Sequence, residues 1–122
     1  MIKKRILVVE DEVPLQQLYA DYLIPKIDID LVQCITGDEA VEIYKTEYLN
    51  FDIVILDLTL KNGISGHETF IELYKINPLI KLIITTGCSE NIITNSIKEK
   101  TSAYVLFKPF NLSALVSIIN MI

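Results

Sequence analysis

Histidine, cysteine and glycine are scarce in this sequence, and tryptophan is absent. The chain has one His, two Cys and four Gly among its 122 residues. Cys34 and Cys88 have neither a CxxC spacing nor the spacing of zinc ligands, and a single His argues further against a zinc site. We expect two reduced thiols, which are usual in a cytoplasmic protein.

Basic residues and long apolar runs are also few. Eleven Lys and Arg residues stand against 16 Asp and Glu, and the net charge of −5 argues against direct nucleic-acid binding. After Lys3, Lys4 and Arg5 the apolar run ends at Val9, which is too short for a signal peptide or a membrane span. No other stretch is long enough, so we expect a cytoplasmic protein with no membrane partner.

Length and composition predict one folded domain. Hydrophobic residues make up 51% of the chain and charged residues 22%, as is typical of a globular protein. A chain of 122 residues can bury a substantial core as one unit. We therefore expect a single domain over residues 1–122.

Five short apolar runs alternate with five segments of helical period. The expected strands are Ile6–Val9, Ile29–Ile35, Ile53–Leu56, Leu79–Thr85 and Ala103–Phe107. Their Val, Ile and Leu content predicts a parallel sheet covered on both faces. Five such units are too few for an eight-stranded barrel. The expected fold class is therefore α/β, a doubly wound, flavodoxin-like (βα)5 sheet of five parallel strands in the order 2-1-3-4-5.

The helical segments carry signals for their boundaries and buried faces. Pro14 suits a first helical position, and the third segment should stop before Asn77 and Pro78. Ser89 is the expected N-cap of the fourth helix. The side chains expected to face the sheet include Leu15, Leu18 and Tyr22 in the first helix, and Ile93 and Ile97 in the fourth.

Three carboxylates follow two of the expected strands. Asp57 ends the buried run in "FDIVILDLTL", where an unpaired charge is costly to bury. It either opens the next turn or serves a site that needs a carboxylate. Glu10 and Asp11 follow the first strand, and alone they could be solvated acids at a helix start. In the expected strand order, all three meet at the switch point beyond strands one and three, where such folds bind ligands.

This clustering of carboxylates favours a divalent cation. Two carboxylates a few ångströms apart repel by roughly 1 kcal/mol in water and about 4 kcal/mol near a protein surface. Oxygen ligands suit Mg²⁺ or Mn²⁺. Strands four and five end at the same edge in Thr86-Gly87 and Lys108-Pro109, which add a hydroxyl and a cation. Together these groups suit phosphoryl transfer to a carboxylate.

The motifs "ILVVEDE", "DIVILDLTL", "ITTG" and "FKPF" resemble the receiver domain of two-component response regulators, of the chemotaxis-regulator type, over the whole chain. The resemblance implies that Asp57 is the phosphoacceptor. It also implies that Asp11, Asp57 and the backbone carbonyl of Thr59 bind Mg²⁺ or Mn²⁺, with Glu10 assisting through a water molecule.

The same resemblance assigns the other strand ends. Thr86 is the expected switch hydroxyl, supported by Gly87, and Lys108 is expected to bind the phosphoryl group, before a cis bond to Pro109. The donor would be a sensor histidine kinase or a phosphotransfer protein. The receiver would act on an output domain or partner, or on a second copy, through the face of the fourth helix, fifth strand and fifth helix. It would phosphorylate and dephosphorylate itself without being a turnover enzyme.

The sequence departs from the family pattern near two of the motifs. Lys61 replaces the usual Pro in a loop that is one residue longer than the commonest form. Val105 replaces the usual switch aromatic residue, and we expect the flanking Tyr104 and Phe107 on the opposite face of the strand. Two alternatives stay open, a docking module that needs no phosphorylation and, more remotely, a Mg²⁺-dependent aspartyl-phosphate phosphohydrolase. Against the latter, Thr59 stands where such enzymes often have a second acid.

Overall fold

Five strands and five α-helices alternate along the chain in the computed structural model, which describes residues 3–87 and 91–122. The strands are β1 (Lys4–Val9), β2 (Ile29–Cys34), β3 (Ile53–Asp57), β4 (Leu82–Thr86) and β5 (Tyr104–Phe107). The helices are α1 (Val13–Leu23), α2 (Gly37–Glu47), α3 (Gly66–Ile76), α4 (Ile92–Thr101) and α5 (Leu112–Met121). A 3₁₀ turn, Tyr48–Asn50, lies between α2 and β3.

The strands form one parallel sheet in the order β2-β1-β3-β4-β5, which confirms the predicted topology. Val9 of β1 pairs with Leu56 of β3, and Asp57 of β3 pairs with Thr85 of β4. Chain order reverses between β1 and β3, so the switch point lies at the carboxyl ends of these two strands.

Helices cover both faces of the sheet, which explains why the central strands carry apolar side chains on both faces. Every residue of β3 and β4 is buried. Helices α1 and α5 share one core with Ile6, Val8, Ile53, Ile55 and Ile83. Helices α2, α3 and α4 share the other core with Leu7, Val9, Val54, Leu56, Leu82 and Ile84. Within the described residues, no helix combines the length and apolar character needed to cross a membrane.

Side-chain caps fix the starts of four helices. Thr36, Asn91 and Asn111 accept hydrogen bonds from backbone N–H groups at the starts of α2, α4 and α5. At α3, Ser65 and Glu68 form a reciprocal capping box. The cap of α4 is thus Asn91, whereas Ser89, the expected cap, lies outside the described residues.

The buried faces of two helices differ from the predicted ones. In α1 the buried residues are Gln16, Tyr19 and Leu23, while Leu18 is 51% exposed. In α4, Ile97 is buried as predicted, but Ile93 is 40% exposed and Thr94 is buried instead. In both helices part of the prediction holds, since Leu15 and Tyr22 pack against the core and Ile97 is buried. The prediction is wrong for Leu18 and Ile93, because a polar residue, Gln16 or Thr94, belongs to each buried face.

The expected start of the fourth strand at Leu79 is also wrong. Helix α3 ends at Ile76, before Asn77 and Pro78 as predicted, but a turn then precedes β4. The Ile80 N–H donates to the Asn77 carbonyl at 3.1 Å. Leu79 is 87% exposed on this turn, so its apolar character does not mark a strand.

Candidate functional site

One row of side chains crosses the carboxyl edge of the sheet on the face covered by α1 and α5. The register places Glu10, the residue after Val9, beside Asp57, and it pairs Asp57 with Thr85. Side chains alternate between faces along a strand, so Glu10 and Asp57 lie on the same face as Val8 and Ile55. The fold thereby brings a carboxylate of β3 next to one that follows β1.

Lys108 lies between these two buried carboxylates. Its ammonium is 2.9 Å from Glu10 Oε1 and 3.1 Å from Asp57 Oδ2. Both acidic side chains are 1% exposed, and the lysine side chain is 19% exposed. Since so buried a charge is costly without a partner, one cation shared by two carboxylates is the main electrostatic support of the site.

Burial and charge shift the pKa values of these groups in the same direction. Burial raises the pKa of Glu10 to about 7, although the hydrogen bond from Lys108 opposes the shift and the charge of Asp57 adds to it. Burial would lower the pKa of Lys108, but its hydrogen bond to Glu10 and the charges of both carboxylates outweigh burial and raise it. Lys108 therefore stays charged at neutral pH, whereas Glu10 is poised to take up a proton.

The second oxygen of Asp57 is held by Thr59. The Thr59 N–H donates to Asp57 Oδ1 at 2.8 Å, and the Thr59 hydroxyl donates to the same atom at 2.6 Å. Both carboxylate oxygens of Asp57 thus have hydrogen-bond partners. A charged residue can end this apolar strand because the buried carboxylate of Asp57 has three hydrogen-bond donors, two from Thr59 and one from Lys108.

Asp11 completes the acidic cluster. Glu10, Asp11 and Asp57 each place a carboxylate oxygen within 4.8 Å of the others, close enough to share one cation. The Lys61 N–H donates to Asp11 Oδ2 at 3.0 Å, a bond that a proline at this position could not make. Hard oxygen donors grouped around a partly exposed Asp11 fit Mg²⁺ or Mn²⁺ better than a softer metal.

The ends of β4 and β5 flank this cluster. Thr86 is buried, and its carbonyl accepts a hydrogen bond from the Lys108 N–H at 2.8 Å. The peptide bond between Lys108 and Pro109 is cis. Gly87 is exposed, and a Cβ atom there would meet nothing within 4 Å. The structure thus brings Thr86 and Lys108 to the same edge as Asp57.

Val105 lies in β5 on the core face shared with α2, α3 and α4, where it pairs with Ile84. The expectation for Phe107 is wrong. Phe107 is two residues beyond Val105, so the strand alternation places both on one face, and it pairs with Thr86. Tyr104 lies on the other face, as expected. The aromatic residue of β5 nearest in register to Thr86 is therefore Phe107, which is 42% exposed.

Two residues that shape the site, Gly66 and Gln16, were not predicted from the sequence. A Cβ atom on Gly66 would collide with the Leu58 Cα atom and lie 2.6 Å from the Asp57 carbonyl oxygen. Gln16 is buried, and its side-chain amide donates to the carbonyls of Glu10 at 3.1 Å and Cys34 at 2.9 Å. The glycine at the start of α3 is visible in the sequence. Nothing in the sequence indicates that Gln16 is buried, because a lone glutamine in a helix usually faces solvent.

Comparisons with known proteins identify the family of the chain. The sequence profile of the response regulator receiver domain matches residues 6–120, and the chain therefore belongs to this family. The response regulator TrrA from Thermotoga maritima, solved with Mg²⁺ and BeF, is 30% identical over 97% of either chain, with a TM-score of 0.81.

Two further solved structures share the fold at lower identity. A CheY-like receiver domain protein from Methanospirillum hungatei is 23% identical, covering 98% of this chain and 93% of its own, with a TM-score of 0.79. The receiver domain of a Francisella response regulator is 22% identical, covering 98% and 95%, with a TM-score of 0.85. The predicted family and fold class are thereby confirmed.

Proposed function

We propose that Asp57 accepts a phosphoryl group from a phosphohistidine of a sensor histidine kinase or phosphotransfer protein, and that the chain thereby switches a partner interaction. The observation that carries this proposal is the position of the Lys108 ammonium between two buried carboxylates. Lys108 lies within 3.1 Å of the buried Asp57 and within 2.9 Å of Glu10. A buried carboxylate that faces a lysine and a cluster able to hold a divalent cation suits attack on phosphorus.

The transfer makes one bond and breaks one. A carboxylate oxygen of Asp57 forms a bond to phosphorus, and the bond from phosphorus to the donor's imidazole nitrogen breaks. That nitrogen keeps the electron pair. A proton already on the other ring nitrogen, or one taken up from water, makes the departing donor neutral histidine. Lys108 would neutralise one phosphoryl oxygen, and the Thr86 hydroxyl would donate to another.

A divalent cation fits this scheme. Asp11, Asp57 and the Thr59 carbonyl would hold Mg²⁺ or Mn²⁺ directly, and Glu10 would act through water. When bound, the cation supplies positive charge to the phosphoryl oxygens, which repel an anionic nucleophile. The grouping of the three carboxylates within 4.8 Å supports this assignment.

The output would lie on the face of α4, β5 and α5. The chain would act in the cytoplasm, with a sensor histidine kinase as the source of the signal. Several large apolar side chains on these elements are exposed, including Ile92, Tyr104, Phe107 and Met121. Phe107 pairs with Thr86 in the β4–β5 register. A movement of Thr86 toward a phosphoryl group would therefore change the position of Phe107 on this face. An output domain, a separate partner or a second copy of the chain would read that change.

The test is intact mass after incubation with a small phosphodonor, acetyl phosphate or phosphoramidate, with and without Mg²⁺. We expect one phosphoryl adduct on the wild-type chain in Mg²⁺ and none on Asp57→Asn. Asp52→Asn is the matched control, because Asp52 is exposed five residues before Asp57 and should leave the adduct unchanged.

Two results would overturn the proposal. One is the absence of an adduct on folded wild-type protein in Mg²⁺ at every donor concentration, which would favour the phosphorylation-independent docking module. The other is an adduct that persists in Asp57→Asn at the wild-type rate, which would place the phosphoacceptor elsewhere.

A further inference from the structure

Two buried hydroxyl groups beside the site have no hydrogen-bond partner among the described residues. They belong to Tyr19 of α1, which is 0% exposed, and to Thr85 of β4, which is 1% exposed. The two hydroxyls are close enough to interact, but they do not form a hydrogen bond of ordinary geometry. Burying a hydroxyl without a hydrogen-bond partner destabilises the folded state, so a function for these two hydroxyls is worth seeking.

Both hydroxyls lie on the side of the sheet that carries the reacting groups. Thr85 pairs with Asp57 in the β3–β4 register, and paired residues of parallel strands point to the same face. Tyr19 belongs to the core that α1 and α5 build on this face. The Thr85 side chain is thus next to Asp57, and Tyr19 packs in the core on the same face of the sheet.

Tyr19 is also connected to the segment that carries Lys108. Its ring stacks on Phe110, with ring centroids 6.4 Å apart. Phe110 lies two residues beyond Lys108, just after the cis peptide bond. Tyr19 therefore contacts the acceptor side of the site through Thr85 and the lysine side through Phe110.

The existing hydrogen bonds indicate when such donors would be needed. Lys108 serves both Glu10 and Asp57, at 2.9 and 3.1 Å. A phosphoryl group on Asp57 would compete for the same ammonium, and each bond that Lys108 gives up leaves a buried carboxylate oxygen short of a donor. Among the described residues, the buried hydroxyls without a hydrogen-bond partner are those of Tyr19 and Thr85.

We propose that the Tyr19 and Thr85 hydroxyls are reserve hydrogen-bond donors, positioning residues that replace Lys108 on Glu10 and on the acyl oxygen of Asp57 when Lys108 binds the phosphoryl group. This inference rests on the proposed phosphorylation of Asp57. The pair would be unsatisfied in the unphosphorylated chain and satisfied in the phosphorylated one, and so it would favour formation of the adduct and slow its loss.

The state of Tyr19 is compatible with this role. Burial, together with the negative charges of Glu10 and Asp57, raises the pKa of its hydroxyl. Tyr19 therefore keeps its proton at neutral pH and can act as a donor toward a carboxylate.

The experiment compares Tyr19→Phe and Thr85→Val, which each remove one hydroxyl and keep the side-chain shape. For each, we would measure thermal unfolding without a phosphodonor, and by intact mass the rates of adduct formation and loss. We expect an unchanged or higher unfolding temperature. We also expect adduct formation slowed, or adduct loss accelerated, by about three- to tenfold, the effect of one lost hydrogen bond.

Three further variants separate positioning from packing. Thr85→Ser keeps the hydroxyl and should retain the wild-type rates. Tyr22→Phe removes a hydroxyl from the same helix, where Tyr22 is only half-buried and pairs with Lys26, and should change nothing. In Tyr19→Phe/Thr85→Val, the rate effects should be less than the product of the single effects, because the two hydroxyls act together.

The outcomes are distinct. If Tyr19→Phe and Thr85→Val form and lose the adduct within twofold of the wild-type rates, the reserve-donor role is wrong while the proposed function stands. A lowered unfolding temperature with unchanged rates would make the pair purely structural and overturn the inference as well. Failure of every variant and of the wild type to form an adduct would remove the proposed function and this inference together.

Discussion

Lys108 donates a hydrogen bond of 2.9 Å to Glu10, a residue 98 positions earlier in the chain. The contact joins the loop after β5 to the loop after β1 across the ends of β3 and β4, and Asp57 shares the same ammonium. Two buried carboxylates thus depend on one lysine, which makes this lysine a stability determinant as well as a site residue.

Lys108→Met should destabilise the unphosphorylated protein. The variant keeps the length of the side chain but leaves Glu10 and Asp57 without their cation. We expect a loss of about 3 kcal/mol in the free energy of unfolding at pH 8, the usual cost of breaking a buried pair. Urea denaturation at pH 8 measures it, with Lys100→Met on the exposed side of α4 as the control. Equal stability of the two variants would contradict the role of Lys108.

The raised pKa of Glu10 predicts how stability depends on pH. The carboxyl group titrates near 7 in the folded protein and near 4.5, its ordinary value, in the unfolded chain. Between these values the folded state holds more protons than the unfolded state, so the contribution of Glu10 to stability is fully present below pH 4.5 and is lost as pH rises through 7.

Glu10→Gln isolates this contribution, because glutamine does not titrate. Without divalent metal, the unfolding free energy of the wild type relative to Glu10→Gln should fall on the order of 1–3 kcal/mol from pH 4.5 to 8. Urea titrations at half-unit pH intervals would show it. A flat or rising difference would mean that Glu10 is ionised throughout.

Mg²⁺ should stabilise the folded chain, and Asp11 should be needed for that effect. Binding to the folded state alone raises the unfolding free energy by about 2.7 kcal/mol at 100 times the Kd. We expect Asp11→Asn to lose most of this gain and Asp28→Asn, at an exposed site, to keep it. Since the cation displaces a proton from Glu10, affinity should rise from pH 5.5 to 8. Thermal unfolding against Mg²⁺ concentration tests both expectations, and an identical response of the two variants would place the metal elsewhere.

Strand order, helix number and the convergence of Asp57, Asp11, Thr86 and Lys108 could be predicted from the sequence. Buried parallel strands have an unmistakable composition, and the carboxyl ends of such strands meet at one edge by geometry alone. Helix faces were harder. In α1, Leu15 packs against the core as predicted, but Leu18 is exposed and the most buried positions are Gln16, Tyr19 and Leu23.

Sequence patterns do not reveal the hydrogen bonds between side chains and the backbone at this site. Gln16 is buried because the strand ends leave carbonyl groups that need donors, and that need arises only when β1, β2 and α1 are assembled. The hydrogen bond from the Lys61 N–H to Asp11 is a contact of the same kind, because a backbone group donates it and the residue type does not predict it. The Tyr19–Thr85 pair likewise becomes visible only when the register places Thr85 beside Asp57.

Gly66→Ala should be one of the most destabilising small substitutions near the site. The new methyl group would lie 2.6 Å from the Asp57 carbonyl oxygen and 2.7 Å from the Leu58 carbonyl carbon, which are backbone atoms that cannot turn away. Helix α3 would have to shift from β3, and we expect a loss of about 2–3 kcal/mol, in the range of overpacked cores. Gly87→Ala is the matched control, because its methyl group would meet nothing within 4 Å. That variant should change the free energy of unfolding by less than about 1 kcal/mol, or raise it slightly through the unfolded chain. Urea denaturation measures the free energy of unfolding of both variants. Similar losses in Gly66→Ala and Gly87→Ala would show that the close approach of α3 to β3 at Gly66 does not limit the packing.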